Sequence, residues 1–206
     1  MRLFFARHGE SEANLLRVIS NRGLQHGLTD AGYSQATALA QRLTECRIIR
    51  LFTSPLLRAI QTAEVLVHEL GIPYAVTDAL REYDCGVMEE RSDEIAWKTY
   101  EEVLRDWVDG HWERRIEQGE SLEEIKARFV PFVEGLVKEY QGSEAGIVLV
   151  GHGGLYRCTL PLVLENVDLK YALAHPIGPT EYVVAEERAG RLVCVTWCGR
   201  GGVGAL

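Results

Sequence analysis

Two short strings in this chain carry side chains able to do chemistry on an anion. Arg7-His8-Gly9-Glu10 closes the first apolar run, Leu3-Phe4-Phe5-Ala6. Gly151-His152-Gly153-Gly154 follows a similar run, Ile147-Val148-Leu149-Val150. Each run reads as a short buried strand. Both histidines are thus delivered to carboxyl ends of strands, the edge of an open α/β sheet where ligands bind. Two imidazoles and an arginine converging there suit a dianionic group such as a phosphate. Each string alone is weak, because a histidine at a strand end is more often a satisfied structural residue.

Cleaving a phosphate monoester sets three demands: the equatorial oxygens must be neutralised, phosphorus attacked, and the leaving oxygen protonated. His8 can attack if a backbone carbonyl holds one ring nitrogen and leaves the other neutral and nucleophilic. Arg7 beside it offers a planar fork that suits phosphate oxygens better than a lysine would. A second cation lies in Thr53-Ser54-Pro55-Leu56-Leu57-Arg58, where a strand runs into a helix. Ser54 is the expected N-cap, with Pro55 in the first turn. Arg58 then sits where a helix N-terminus already favours an anion. In isolation it is more often a surface arginine.

Positioning these residues requires a fold that brings the strand ends together. Glu10 to Gly27 reads as a functional loop with a short helix, and Thr29 caps a helix running to about Glu45. Arg47 to Phe52 alternates as a second strand. The helix through Arg58, Ala63 and Leu66 stops at Gly71, and Tyr74 to Thr77 makes a third strand. Residues 84–143 carry Trp97, Trp107 and Trp112 with a dense acidic run. Helical spacing is plain at Trp97, Tyr100, Val103, Leu104 and Trp107. A second helix begins at Ser121 with Glu124 three residues on, a capping box, and continues to about Tyr140. This region is either a helical pair packed on the sheet or a cap closing one side of the pocket. Ile147 to Val150 is the fourth strand, followed by a helix through Arg157 and Leu162. Glu181 to Ala185 and Leu192 to Val195 form an edge hairpin around Ala189-Gly190, and the Gly-rich tail from Gly199 to Leu206 reads as loose. The expected fold is α/β: a three-layer sandwich whose mostly parallel central sheet, with one antiparallel edge, is flanked by helices. It is expected as one domain over 1–206 with a helical acidic cap insertion at about 84–143.

Composition bounds the partners. The chain has 206 residues, 47% hydrophobic and 25% charged, enough for a full core. A formal net charge of −8 argues against nucleic acid and anionic membranes, which need a basic face. The five cysteines (Cys46, Cys85, Cys158, Cys194, Cys198) contain no C-x-x-C pair, which fits a reducing compartment better than zinc or a disulfide framework. The apolar stretch before Arg7 is too short for a signal peptide, and no run approaches a membrane span. A cytoplasmic protein is expected. The edge hairpin allows a homodimer without requiring one.

Taken jointly the motifs become specific. Arg7-His8-Gly9-Glu10, the segment from Ser54-Pro55-Leu56 to Glu64, and Val150-Gly151-His152-Gly153-Gly154 stand in the order seen in the histidine phosphatase superfamily, also called the phosphoglycerate mutase-like family. Gly119-Glu120-Ser121-Leu122 ahead of Arg128 is similar to that family too, so the likeness spans nearly the whole chain. The resemblance implies that His8 is phosphorylated covalently. It implies that Arg7, Arg58 and His152 form the phosphate pocket, with Asn14 on a phosphoryl oxygen and the backbone of Gly153 facing it. Glu82, in Leu80-Arg81-Glu82-Tyr83, matches the proton donor. No cofactor or metal is implied, and the partner is a small phosphorylated substrate.

Three places depart from the family's pattern. Gln25 and Gly27 stand where Asp and Pro are usual. Gly86-Val87-Met88-Glu89-Glu90 lacks the usual Trp and second Gly. His175-Pro176-Ile177-Gly178-Pro179-Thr180 stands where an Asn is common. All three are expected to bear on leaving-group recognition and none on the phosphate core. The preferred reading is a metal-independent phosphomonoesterase. The alternatives are cofactor-dependent phosphoglycerate mutase-type transfer, a non-catalytic phosphate-binding scaffold, and a regulator of protein phosphohistidine, which tends to be shorter. A mutase needs extra cations around a second phosphate; Arg17, Arg22, Arg114 and Arg115 are the candidates, and Arg22 is counted among the substrate-binding residues. The acidic insert argues against that enclosure.

Overall fold

A computed structural model describes residues 1–201 of the chain. In chain order the elements are β1 (Arg2–Arg7), α1 (Glu12–Leu16), α2 (Asp30–Leu43), β2 (Ile48–Thr53), α3 (Leu57–Leu70), β3 (Tyr74–Val76), α4 (Glu94–Val108), α5 (Leu122–Tyr140), β4 (Gly146–Gly151), α6 (Gly153–Thr159), α7 (Leu169–Ala174), β5 (Tyr182–Arg188), β6 (Arg191–Trp197) and β7 (Arg200–Gly201), with short 3-10 turns at 78–80, 86–88 and 160–162. The seven strands form one sheet in the order β3-β2-β4-β1-β5-β6-β7. β3, β2, β4 and β1 run parallel; β5, β6 and β7 add an antiparallel edge.

The apolar runs of β1 and β4 are continuous because helices cover both of their faces, as a parallel sheet requires. Phe4, Ala6, Val148 and Val150 pack with Leu39, Leu43, Ala59 and Leu66 of α2 and α3. The alternate residues Leu3, Phe5, Ile147 and Leu149 pack with Phe129 and Val133 of α5 and with Leu155 and Tyr156 of α6. The segment 84–143, expected as one cap, therefore divides. α5 is the sheet's flanking helix, with Phe129 and Phe5 ring centroids 6.4 Å apart. α4 leans toward the carboxyl edge, where Trp97 and Tyr100 face a cavity.

Local signals account for most boundaries. Thr29 accepts from Gly32 N to cap α2, Ser121 and Glu124 form the capping box of α5, and Gly71 ends α3 at φ 65°. The β5–β6 turn is Ala189-Gly190, both at positive φ, as a two-residue hairpin prefers. The start of α3 differs from expectation: Leu56 is its N-cap, and Ser54 and Pro55 lie outside it. The Ser54 hydroxyl is engaged elsewhere, by His152. The helix through Arg157 ends at Thr159, before the 160–162 turn, and α7 was not expected; Asp168 caps it by accepting from Tyr171 N. Within the Gly-rich tail, Arg200–Gly201 pair with β6, and 202–206 lie outside the described residues. Among the described residues no helix is long and apolar enough to cross a membrane.

Register sets the site. Arg7 pairs with Gly151 and Thr53 with Val150, so His8, His152 and Ser54 leave three neighbouring strands side by side. Backbone bonds continue each ladder one step further: His8 N donates to Gly151 O at 3.0 Å, and Ser54 N to Val150 O at 3.0 Å.

Candidate active site

His8 is 3% exposed, and its ring centroid lies 5.0 Å from that of His152. Its Nδ1 is 2.7 Å from Gly9 O. A carbonyl can only accept, so Nδ1 carries the proton and Nε2 keeps its lone pair. Arg58 Nε donates to that lone pair at 3.1 Å. Burial, then Arg58, then Arg7 push the imidazole well below its usual pKa, so it is neutral at physiological pH. This is the tautomer and charge state that a nucleophilic imidazole requires.

The cations surround it on two sides. Arg7 donates from Nη1 to Ile177 O at 2.8 Å, and its Nε is buried without a partner among the described residues. Arg58, 5% exposed and second in α3, donates from Nη2 to Ser20 O at 2.8 Å. Burial brings Arg58 down to about 10, which leaves it cationic at neutral pH. His152 is fully buried and also pushed well below its usual pKa, by burial first and then by Arg58, His8 and Arg7. Its Nδ1, like Arg7 Nε, has no partner among the described residues. A buried donor without an acceptor, as Arg7 Nε is, is costly; an anion in the site would satisfy it.

Glu82 faces this cluster from the loop after β3. Its Oε2 accepts from Gly154 N at 2.9 Å and its Oε1 from Tyr83 N at 3.1 Å. Burial pushes the carboxyl up, against the opposing pull of those amides and Arg58. The Gly119-Glu120-Ser121 string serves this loop. Glu120 accepts from Asp84 N at 2.9 Å and pairs with Arg128, which donates to the carbonyls of Asp78 and Ala79 at 3.1 Å each. Both flanks of Glu82 are thereby tied to α5. Gly154 has no room for a side chain: a Cβ there would meet both Glu82 oxygens at 2.8 Å and the Tyr100 hydroxyl at 2.9 Å.

These groups open into a cavity of about 210 Å³. Arg7, His8, Asn14, Arg58, Glu82 and Gly153 line it. The Asn14 Oδ1 accepts from Ser11 N and Oγ at 3.1 Å each, which leaves its Nδ2 to donate into the cavity. Arg22 is not there. It is drawn outward to Asp84 at 2.8 Å and to Gln118 O, a pairing in water that its acidic neighbourhood favours. Arg114 and Arg115 are likewise paired, with Asp106 and Glu124, and Arg17 is exposed. The 175–180 segment also differs from expectation, because it touches the phosphate core. Besides Ile177 O on Arg7, Thr180 N donates to Arg7 O at 3.2 Å and His8 O at 3.3 Å.

A family model describing the histidine phosphatase superfamily (branch 1) matches residues 3–199. The chain belongs to that superfamily. "Probable phosphoglycerate mutase GpmB" of Serratia proteamaculans (strain 568) is 32% identical over 164 residues, spanning 80% of this chain and 75% of that protein. The Gallus gallus "6-phosphofructo-2-kinase/fructose-2,6-bisphosphatase" is 34% identical over 168 residues, 80% of this chain but 33% of that longer one. Among solved structures, a mycobacterial glucosyl-3-phosphoglycerate phosphatase superposes with a TM-score of 0.81 at 23% identity, covering 97% and 99% of the two chains. The alpha-ribazole phosphatase from Shigella flexneri gives 0.79 at 23%, covering 98% of each. These two likenesses show the histidine phosphatase fold.

Beyond the motifs of the superfamily, the sequence concealed several wall residues. Asn21, Trp97, Tyr100 and Arg157 also line the cavity. Only the helical spacing of Trp97 and Tyr100 hinted at a shared face. Nothing local marks Arg157, which reaches the cavity from α6 while donating to Leu173 O at 2.8 Å.

Proposed function

We propose that the chain is a phosphomonoesterase acting on a small phosphorylated metabolite through a phosphohistidine at His8. The observation that carries this is the His8 Nε2 lone pair, fixed by Gly9 O and set among buried cationic donors. In the first step Arg58 Nε moves its hydrogen bond from Nε2 to a phosphoryl oxygen. Nε2 attacks phosphorus, the P–O bond to the leaving group breaks, and Glu82 gives its proton to the departing oxygen. In the second step the Glu82 carboxylate takes a proton from water, whose oxygen attacks phosphorus. The P–N bond breaks and phosphate leaves. Arg7, Arg58 and the His152 side chain stabilise the charge on the equatorial oxygens throughout.

The named mutase relatives raise phosphoryl return to a second hydroxyl as the competing reading, and Arg157 supplies one further cavity cation in its favour. Against it, Arg17, Arg22, Arg114 and Arg115 all lie outside the cavity. A panel of phosphorylated metabolites decides between them. Phosphate release that is insensitive to chelators and abolished in His8→Ala supports hydrolysis. Conversion of 3-phosphoglycerate to 2-phosphoglycerate, stimulated by a bisphosphoglycerate primer and faster than phosphate release, overturns it.

A further inference from the structure

Ser54 is fully buried one residue beyond β2, and its hydroxyl does not cap the helix that follows. Its Oγ accepts from Leu56 N at 3.2 Å and lies 2.7 Å from His152 Nε2. We propose that Ser54 is a positioning residue: its hydroxyl donates to His152 Nε2, fixes the proton on Nδ1, and aims that N–H at the phosphoryl group carried by His8. The inference rests on the proposed phosphoryl transfer for its purpose, but its geometry stands independently.

The direction of the 2.7 Å bond follows from counting protons. A serine hydroxyl has one, and a neutral imidazole has one. Were His152 Nε2 the donor, the hydroxyl proton would lack an acceptor among the contacts Ser54 makes. The ring's remaining nitrogen would then present a lone pair to an incoming anion. With the hydroxyl donating, the Ser54 proton is satisfied, and the Leu56 N–H takes a lone pair of the same oxygen. One donor is left over, His152 Nδ1, which is the buried ring nitrogen without a partner among the described residues. The two rings are 5.0 Å apart, so a phosphoryl group on His8 lies within reach of this second imidazole. His8 is set by a carbonyl on its Nδ1 and His152 by a hydroxyl on its Nε2. Opposite partners on opposite nitrogens give the same Nδ1–H tautomer, but they leave different nitrogens free: the bare Nε2 of His8 to attack and the N–H of His152 to donate.

The test is the protonation pattern of His152, read by long-range 15N–1H correlation on protein with 15N-labelled histidine and assigned by the loss of signal in His152→Gln. In the wild-type protein Nδ1 is expected as the protonated nitrogen and Nε2 as the bare one. A wild-type ring protonated at Nε2 overturns the proposal without any Ser54 variant. In Ser54→Ala the pattern is expected to become a tautomer mixture, with vanadate binding and kcat falling about ten- to a hundredfold while KM changes less. An unaltered His152 pattern with unaltered vanadate affinity in that variant also overturns it. Failure of phosphatase activity alone, with the wild-type pattern as expected, would instead count against the proposed reaction.

Discussion

At the scale of single residues, the site separates two ionisable groups by opposing uses of burial. Burial disfavours the charged form of each. It therefore lowers His8, which must be neutral to attack, and raises Glu82, which must keep its proton to give it away. The sign of the pH dependence follows. Activity rises with pH as His8 loses its proton, below the ordinary imidazole value of 6.5, and falls as Glu82 loses its own, above the ordinary carboxyl value of 4.5. The expected kcat/KM profile is a bell displaced to the acid side. Glu82→Gln is expected to remove the alkaline limb and to slow alkyl phosphates by about 10²–10⁴-fold. Because Glu82 also serves the hydrolytic second step, the comparison is made on the first: in the pre-steady-state burst, p-nitrophenyl phosphate, whose phenolate leaves without a proton, is expected to suffer much less. Equal losses of burst rate on both substrates would show that Glu82 is not the acid.

At the scale of elements, α6 does two jobs from its first turn. Its Gly154 N–H orients the acid, and its N-cap is His152. Gly154→Ala places a methyl where the carboxylate and the Tyr100 hydroxyl now sit. The carboxylate ends a flexible side chain, so it yields while the fold persists. The expected result is a loss in kcat of about 10–100-fold with an unchanged melting temperature; full activity would show that the Gly154–Glu82 contact is dispensable. Elements also show where sequence reading stops. The apolar runs, caps and Gly71 stop were legible because hydrophobic period and cap chemistry are local. Ser54 was misread for the same reason, since a serine before a proline looks like an N-cap until a partner 98 positions away claims its hydroxyl. Arg22 was misplaced because Asp84, which holds it outside, lies 62 positions along the chain.

At the scale of the whole molecule, strand order turns two distant strings into one site. β4 lies between β1 and β2, so two rings 144 positions apart in the sequence approach to 5.0 Å. The cavity sits outside the carboxyl ends of these strands, as open α/β sheets arrange their ligands. The core motifs were legible because each is contiguous; Asn21, Tyr100 and Arg157 were not, because three separate loops and helices contribute them. In the proposed reaction that dispersed wall meets the leaving group, whereas the strand ends hold the phosphoryl. The most direct test of this arrangement is to trap turnover. Protein quenched in alkali during steady-state hydrolysis, digested and sequenced by mass spectrometry, is expected to carry an acid-labile phosphoryl group on the peptide containing His8, at the Nε2 position. Turnover without any adduct, or an adduct on His152 or another residue, would contradict it.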